Sequence, residues 1–135
     1  MSRDDGFDMV FTEEHEDQVR NKHGEQVLKS LKKKLDRKRR EVSWKKNKHE
    51  LRRRLHKIVA GDDFAEMSFK AKRRQYRAVF VILEDEQVLV FVSAVEKQDE
   101  SAYEHSPQHD LLDGLEKNRK DWRDYGRRIL EEQRD

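Results

Sequence analysis

Seven residues in the second half of the chain, Lys70, Lys72, Arg73, Arg74, Arg77, Lys97 and Tyr103, are of the types that hold a phosphodiester and move protons around it. Cationic groups stabilise the charge that develops when a ribose 2′-hydroxyl attacks a phosphodiester. A tyrosine, or a lysine of depressed pKa, can take the hydroxyl proton. Taken singly, each of the seven also suits the solvated edge of a highly charged protein. Lys45, Lys46, Arg52, Arg53 and Arg54 add a second basic element. They belong to residues 29–57, where fifteen Lys/Arg face only Asp36, Glu41 and Glu50, a local balance of +12. Residues 1–28 sum to −5 and residues 83–135 to −7, so the whole-chain charge of +2 hides a strong segregation. A +12 block attracts phosphate, and acidic flanks limit indiscriminate binding.

Other chemistries find less support. The chain has no cysteine, which removes disulfides, thiolate catalysis and cysteine zinc sites. It has no G-x-x-x-x-G-K-[ST] loop, G-x-S-x-G elbow or H-E-x-x-H pair. His105 and His109 stand four apart, but Pro107 lies between them and no third ligand is evident, so neither a metal nor another cofactor is expected. His15, His23, His49 and His56 read as solvated helix positions. The opening "MSRDDGFD" lacks the apolar run of a signal peptide, and no apolar run approaches the roughly 18 to 20 residues of a membrane span. A cytoplasmic protein with no membrane contact is expected.

The elements that must position the basic groups follow from pattern. With 135 residues, 33% hydrophobic and 44% charged, the chain has material for one domain with a thin core. "FDMVF", Phe7 to Phe11, is short and β-prone; Thr12 then suits an N-cap before the acidic "EEHED". Gly24 is placed to end that helix and turn the chain back. A second helix from about Glu25 to Arg40 aligns Val27, Leu28, Leu31 and Leu35 on one face. Residues 44–60 repeat the helical pattern with Trp44, Leu51, Leu55, Ile58 and Val59, and "GDD" at 61–63 ends it. Phe64 to Lys72 alternates as a half-buried strand, with Phe64, Glu66, Ser68, Lys70 and Lys72 on one face and Ala65, Met67, Phe69 and Ala71 on the other. "YRAVFVIL" (Tyr76 to Leu83) and "VLVFVSAV" (Val88 to Val95) form a hairpin around "EDEQ", apolar on both faces and therefore central, with helices on at least one side. Arg77 interrupts the run, where its charge must find a partner or reach water. From Ser106 a last helix carries Leu111, Leu115, Trp122, Tyr125 and Ile129 on one face, with Gly114 and Gly126 each costing roughly 1 kcal/mol relative to alanine.

Strand, helical hairpin and three-strand meander, in that order and ending in a basic residue and a tyrosine, resemble the RelE/ParE toxin superfamily, closest to the RelE-type ribosome-dependent mRNA endonucleases. "FTEE" after the first strand, "LKKKL" (Leu31 to Leu35) and above all "YRAVFVILEDEQVLVFVSAVEK" carry the resemblance, over about 80 residues between Phe7 and Tyr103. It implies an α+β fold in which an N-terminal strand and helical hairpin pack on a small antiparallel sheet, within a toxin domain at 1–105 that includes an extended basic helical region at 29–60. Residues 106–135 would be a C-terminal helical extension, covering the domain's own sheet or helical hairpin.

The activity implied is metal-independent cleavage of mRNA on the ribosome by the toxin of a type II toxin–antitoxin system. Arg77 would bind the scissile phosphate, Lys70 would stabilise charge or deprotonate, and Tyr103 would orient the 2′-hydroxyl. Lys45, Lys46, Arg52, Arg53, Arg54, Lys72, Arg73, Arg74 and Lys97 would hold RNA. Ser68 and Gln98 occupy two positions where the family carries basic residues. The implied partners are the ribosome, mRNA and an acidic antitoxin. A non-catalytic ribosome- or RNA-binding protein of the same fold, and a ParE-like topoisomerase inhibitor, are the alternatives.

Overall fold

Thr12 begins the first helix by a reciprocal cap. Its Oγ1 accepts the His15 backbone N–H at 3.2 Å, and its own N–H donates to His15 Nδ1 at 3.1 Å. Histidine here performs the task that Glu or Gln performs in the usual capping box. The computed structural model describes residues 6–43, 58–59, 64–96 and 117–134. Helix α1, Glu13–His23, ends at Gly24, whose φ of 98° is left-handed backbone that glycine adopts without a Cβ penalty. Helix α2, Glu25–Val42, then runs back, and its expected stripe of Val27, Leu28, Leu31 and Leu35 is buried. The stretch Glu41 to Ser43, between the two expected helices, continues α2 to Val42 with Ser43 as C-cap.

Five strands form one mixed sheet in the order β1-β5-β4-β3-β2: β1 Asp8–Val10, β2 Ile58–Val59, β3 Phe64–Ala71, β4 Arg74–Leu83 and β5 Val88–Glu96. The expected meander is present, since β3 pairs antiparallel with β4 and β4 with β5. Two expectations change. Strand β1 runs parallel to β5, so the sheet is mixed and not purely antiparallel. Ile58 and Val59, read as the end of a helix, pair with Ala65 and Phe64 as an edge strand. Both are β-branched and favour a pleated surface once a neighbouring strand offers one. The remainder of the expected 44–60 helix lies outside the described residues.

The alternation expected for β3 gives the sheet two apolar faces. Ala65, Met67 and Phe69 join Phe80, Ile82, Leu89 and Phe91 beneath the α1–α2 hairpin, with Phe7 and Met9 completing that core. Phe64 joins Val79, Val81, Leu83, Val88, Val90 and Val92 on the other face, covered by helix α3, Arg119–Arg134, through Ile129 and Leu130 with Trp122 and Tyr125 at its margin. The C-terminal helix thus lies on the domain's own sheet, on the side away from the hairpin, and makes the architecture α+β in three layers. Gly126 acquires a different reason from the one its sequence suggested. A Cβ there would stand 2.9 Å from Val81 Cγ1, so the missing side chain lets α3 approach the sheet closely. Leu111, Leu115 and Gly114 lie outside the described residues. No helix among the described residues is long and apolar enough to cross a membrane.

Candidate nucleic-acid interface

The turn between β3 and β4 is the sharpest local feature of the basic end. Only Lys72 and Arg73 join the strands, with φ of 53° and 66°. Two-residue hairpins of this kind favour Asn-Gly, because L-residues with side chains resist the left-handed region. Two long cations occupy the place of two turn formers. Lys72 therefore leaves the face it was expected to share with Lys70. Its Nζ lies 3.4 Å from where a Cβ on Gly24 would stand, so the ammonium rests against the α1–α2 turn.

A cleft of about 590 Å³ opens beside this turn, lined by Lys22, His23, Lys72, Arg74, Tyr76, Val95 and Glu96. His23 is the last residue of α1, and its Nε2 stands 2.8 Å from the Ala94 carbonyl oxygen. A carbonyl only accepts, so Nε2 carries the hydrogen, and the neutral ring keeps its lone pair on Nδ1. The ring meets Tyr76 edge-on at 5.3 Å, and Tyr76 stacks on Phe69 at 5.4 Å, which fixes both rings against the core. Arg74 Nη1 donates to Glu96 Oε1 at 2.9 Å across β4 and β5, but its side chain remains 68% exposed. On the other side of the turn, a groove of about 360 Å³ gathers Lys34 and Arg37 of α2 with Lys70 and Gln75. Partial burial, reinforced by Lys38 and Arg37, holds the Lys34 ammonium below the usual lysine range.

The residues expected to act together are thereby divided. Lys70 is exposed in the α2 groove, and Lys72 and Arg74 are in the cleft; Arg73 is exposed at the tip between them. Arg77 is elsewhere: its Nη1 donates to Glu66, a carboxylate 1% exposed on the neighbouring strand, and the arginine side chain itself is only 15% exposed. The charge that was expected to grip a scissile phosphate is already matched by a buried carboxylate. Arg77 Nε has no hydrogen-bond partner among the described residues. Tyr103, Lys97, Lys45, Lys46, Arg52, Arg53 and Arg54 lie outside the described residues, as do His49, His56, His105 and His109.

Two histidines read as solvated prove to be structural anchors. His15 is 1% exposed; with Nδ1 accepting from Thr12, its Nε2–H donates to the Tyr125 hydroxyl at 2.6 Å, which ties α1 to α3. Burial depresses its pKa to about 4, and burial raises that of Tyr125, with Glu14 adding to the effect. His23 was missed as a site residue. The one local signal was its place directly before Gly24, at a helix end where the chain must turn. No family model, curated protein or solved structure matches the chain.

Proposed function

We propose that this protein is a RelE-like toxin that engages RNA on the ribosome and cuts it by metal-independent transesterification, with an acidic antitoxin as its natural partner. The observation that carries the reading is the basic cleft beside the β3–β4 turn, where strain is accepted to present Lys72 and Arg73 in place of residues that suit the turn. Cations from α1, from the turn and from β4 line one depression, the arrangement needed to hold a phosphodiester and the charge that develops on it. The order of strand, helical hairpin and meander supports the same reading, because it is the order on which the RelE resemblance rests. Primer extension on ribosomes programmed with a defined mRNA is the test: discrete 3′ truncations dependent on the protein are expected, and their absence removes the nuclease reading.

One observation favours a non-cleaving variant of the same function. The Arg77–Glu66 pair takes out of service the arginine that the resemblance assigns to the scissile phosphate. A protein that binds the same RNA and blocks translation by occupancy would inhibit a cell-free translation reaction without producing truncated mRNA.

A further inference from the structure

His23 lines the cleft with a tautomer set by the fold. Because Ala94 oxygen accepts from Nε2 at 2.8 Å, the neutral ring offers Nδ1 as its basic nitrogen. The Lys72 ammonium leans over the adjoining Gly24, and Arg74 reaches the same space from β4. Arg74 and Arg77 are both paired with glutamates, but they differ in kind. The Arg74–Glu96 bridge is on the surface, with the arginine 68% exposed, so water screens it and its remaining N–H groups can take an anion. Arg77 is 15% exposed beside a carboxylate that is 1% exposed.

We infer that His23 is the general base of an RNA-cleaving site in this cleft, with Lys72 as its general acid and Arg74 as the phosphate ligand. The inference rests on the cleavage reading above and moves its chemistry away from Arg77. The 2′-hydroxyl next to the scissile phosphodiester loses its proton to His23 Nδ1 as its oxygen bonds to phosphorus. The P–O5′ bond breaks, and O5′ leaves as an alcohol with a proton from the Lys72 ammonium. Arg74 holds a non-bridging oxygen, and its bridge to Glu96 keeps the guanidinium oriented. The products are a 2′,3′-cyclic phosphate and a 5′-hydroxyl. Proton return through water from the His23 imidazolium to the Lys72 amine restores both groups, and nothing is oxidised or reduced.

His23→Gln isolates the role, because a glutamine amide can still donate to the Ala94 carbonyl while offering no basic nitrogen. On ribosomes programmed with a defined mRNA, the variant should cut at least about 100-fold more slowly, the usual worth of a general base. Its thermal midpoint and its affinity for a fluorescein-labelled single-stranded RNA should stay at wild-type values. A single 2′-deoxy substitution at the cut site should abolish cleavage by the wild type. Equal cleavage by His23→Gln overturns the assignment and leaves the nuclease reading intact. Wild-type protein that binds RNA without cutting it also overturns the assignment, and leaves RNA binding standing. Protein that neither binds nor cuts defeats both. Should the variant fail to fold, Lys72→Gln at the exposed turn decides: slowed cleavage with unchanged RNA affinity supports the site, and equal cleavage overturns it.

Discussion

Arg77 and the Lys72–Arg74 turn are separated by a few residues of one hairpin, yet the structure treats their charges in opposite ways. Arg77 is drawn into the sheet and matched by Glu66, whereas Lys72 and Arg73 are held out in solvent by backbone that neither residue prefers. In the buried pair the carboxylate is the more committed partner, since Glu66 at 1% exposure has no route to water. At the turn the strain brings little burial in return, because both side chains are exposed and only the Lys72 ammonium rests against the α1–α2 turn. Identical formal charge is thus neutralised inside the sheet in one place and left exposed at the turn in the other, and burial is what separates the two.

The difference between the two charges is most easily abolished at Glu66. Arg77→Ala leaves a buried carboxylate unpaired and should cost about 3 to 5 kcal/mol, whereas the joint change to Glu66→Leu and Arg77→Met should recover most of that loss. Urea unfolding of the single and double variants checks both. Equal stability of Arg77→Ala and wild type would return Arg77 to the set of free phosphate ligands.

A second buried group sharpens the contrast through pH. Folded His15 titrates near 4 instead of the ordinary 6.5, so the unfolded chain binds its proton first. Its contribution is complete above pH 6.5, is lost progressively as the pH falls toward 4, and amounts to about 3 kcal/mol at most. Protonation also places a hydrogen on Nδ1 where Thr12 N–H already donates. Unfolding measured at pH 7.5 and 4.5 should show a larger acid loss for wild type than for His15→Gln, which keeps a capping-box residue but cannot titrate.

At the open end the expected effects are smaller and fall on binding. Reversing Lys72 and Arg74 to glutamate should weaken single-stranded RNA binding by roughly tenfold or more. The log–log salt slope should flatten by about 1.4, since each phosphate that is no longer neutralised removes about 0.7, while the thermal midpoint stays within a few degrees. Fluorescence anisotropy across a salt series is the measurement; an unchanged slope would make the cleft a solvated edge. The smallest effect is the most specific to the turn. Arg73→Gly should stabilise the fold by up to about 1 kcal/mol while weakening RNA binding, because glycine releases left-handed strain and removes a cation.

Local signals carried much of the fold. Thr12 followed by acids announced α1, Gly24 announced the reversal, and Val27, Leu28, Leu31 and Leu35 announced the buried face of α2. The alternation from Phe64 to Ala71 assigned Phe64 to one apolar face and Ala65, Met67, Phe69 and Ala71 to the other, as found. The errors arose where a residue's fate depends on a distant partner. Ile58 and Val59 fit a helical stripe until β3 is present to pair with them, and β1 could not be known to run parallel to β5 from three residues alone. The candidate site was legible only as composition. Lys70, Lys72, Arg73 and Arg74 were identified as a basic group, but the division into cleft and groove, and the inclusion of His23, depend on how α1 and α2 seat on the sheet.

By itself the sequence determined the start and stop of α1, the buried face of α2, the apolar strands and the segregation of charge, because caps, turns and hydrophobic periods act over a few residues. Only the tertiary structure decided which charges are neutralised and which remain available. Glu66 lies eleven positions before Arg77 in the chain and within hydrogen-bond reach of it in the sheet, and His15 meets Tyr125 across 110 positions. The ionisation and reactivity of such groups follow from desolvation and from the partner that folding supplies, and neither is a property of the residue's own neighbourhood in sequence.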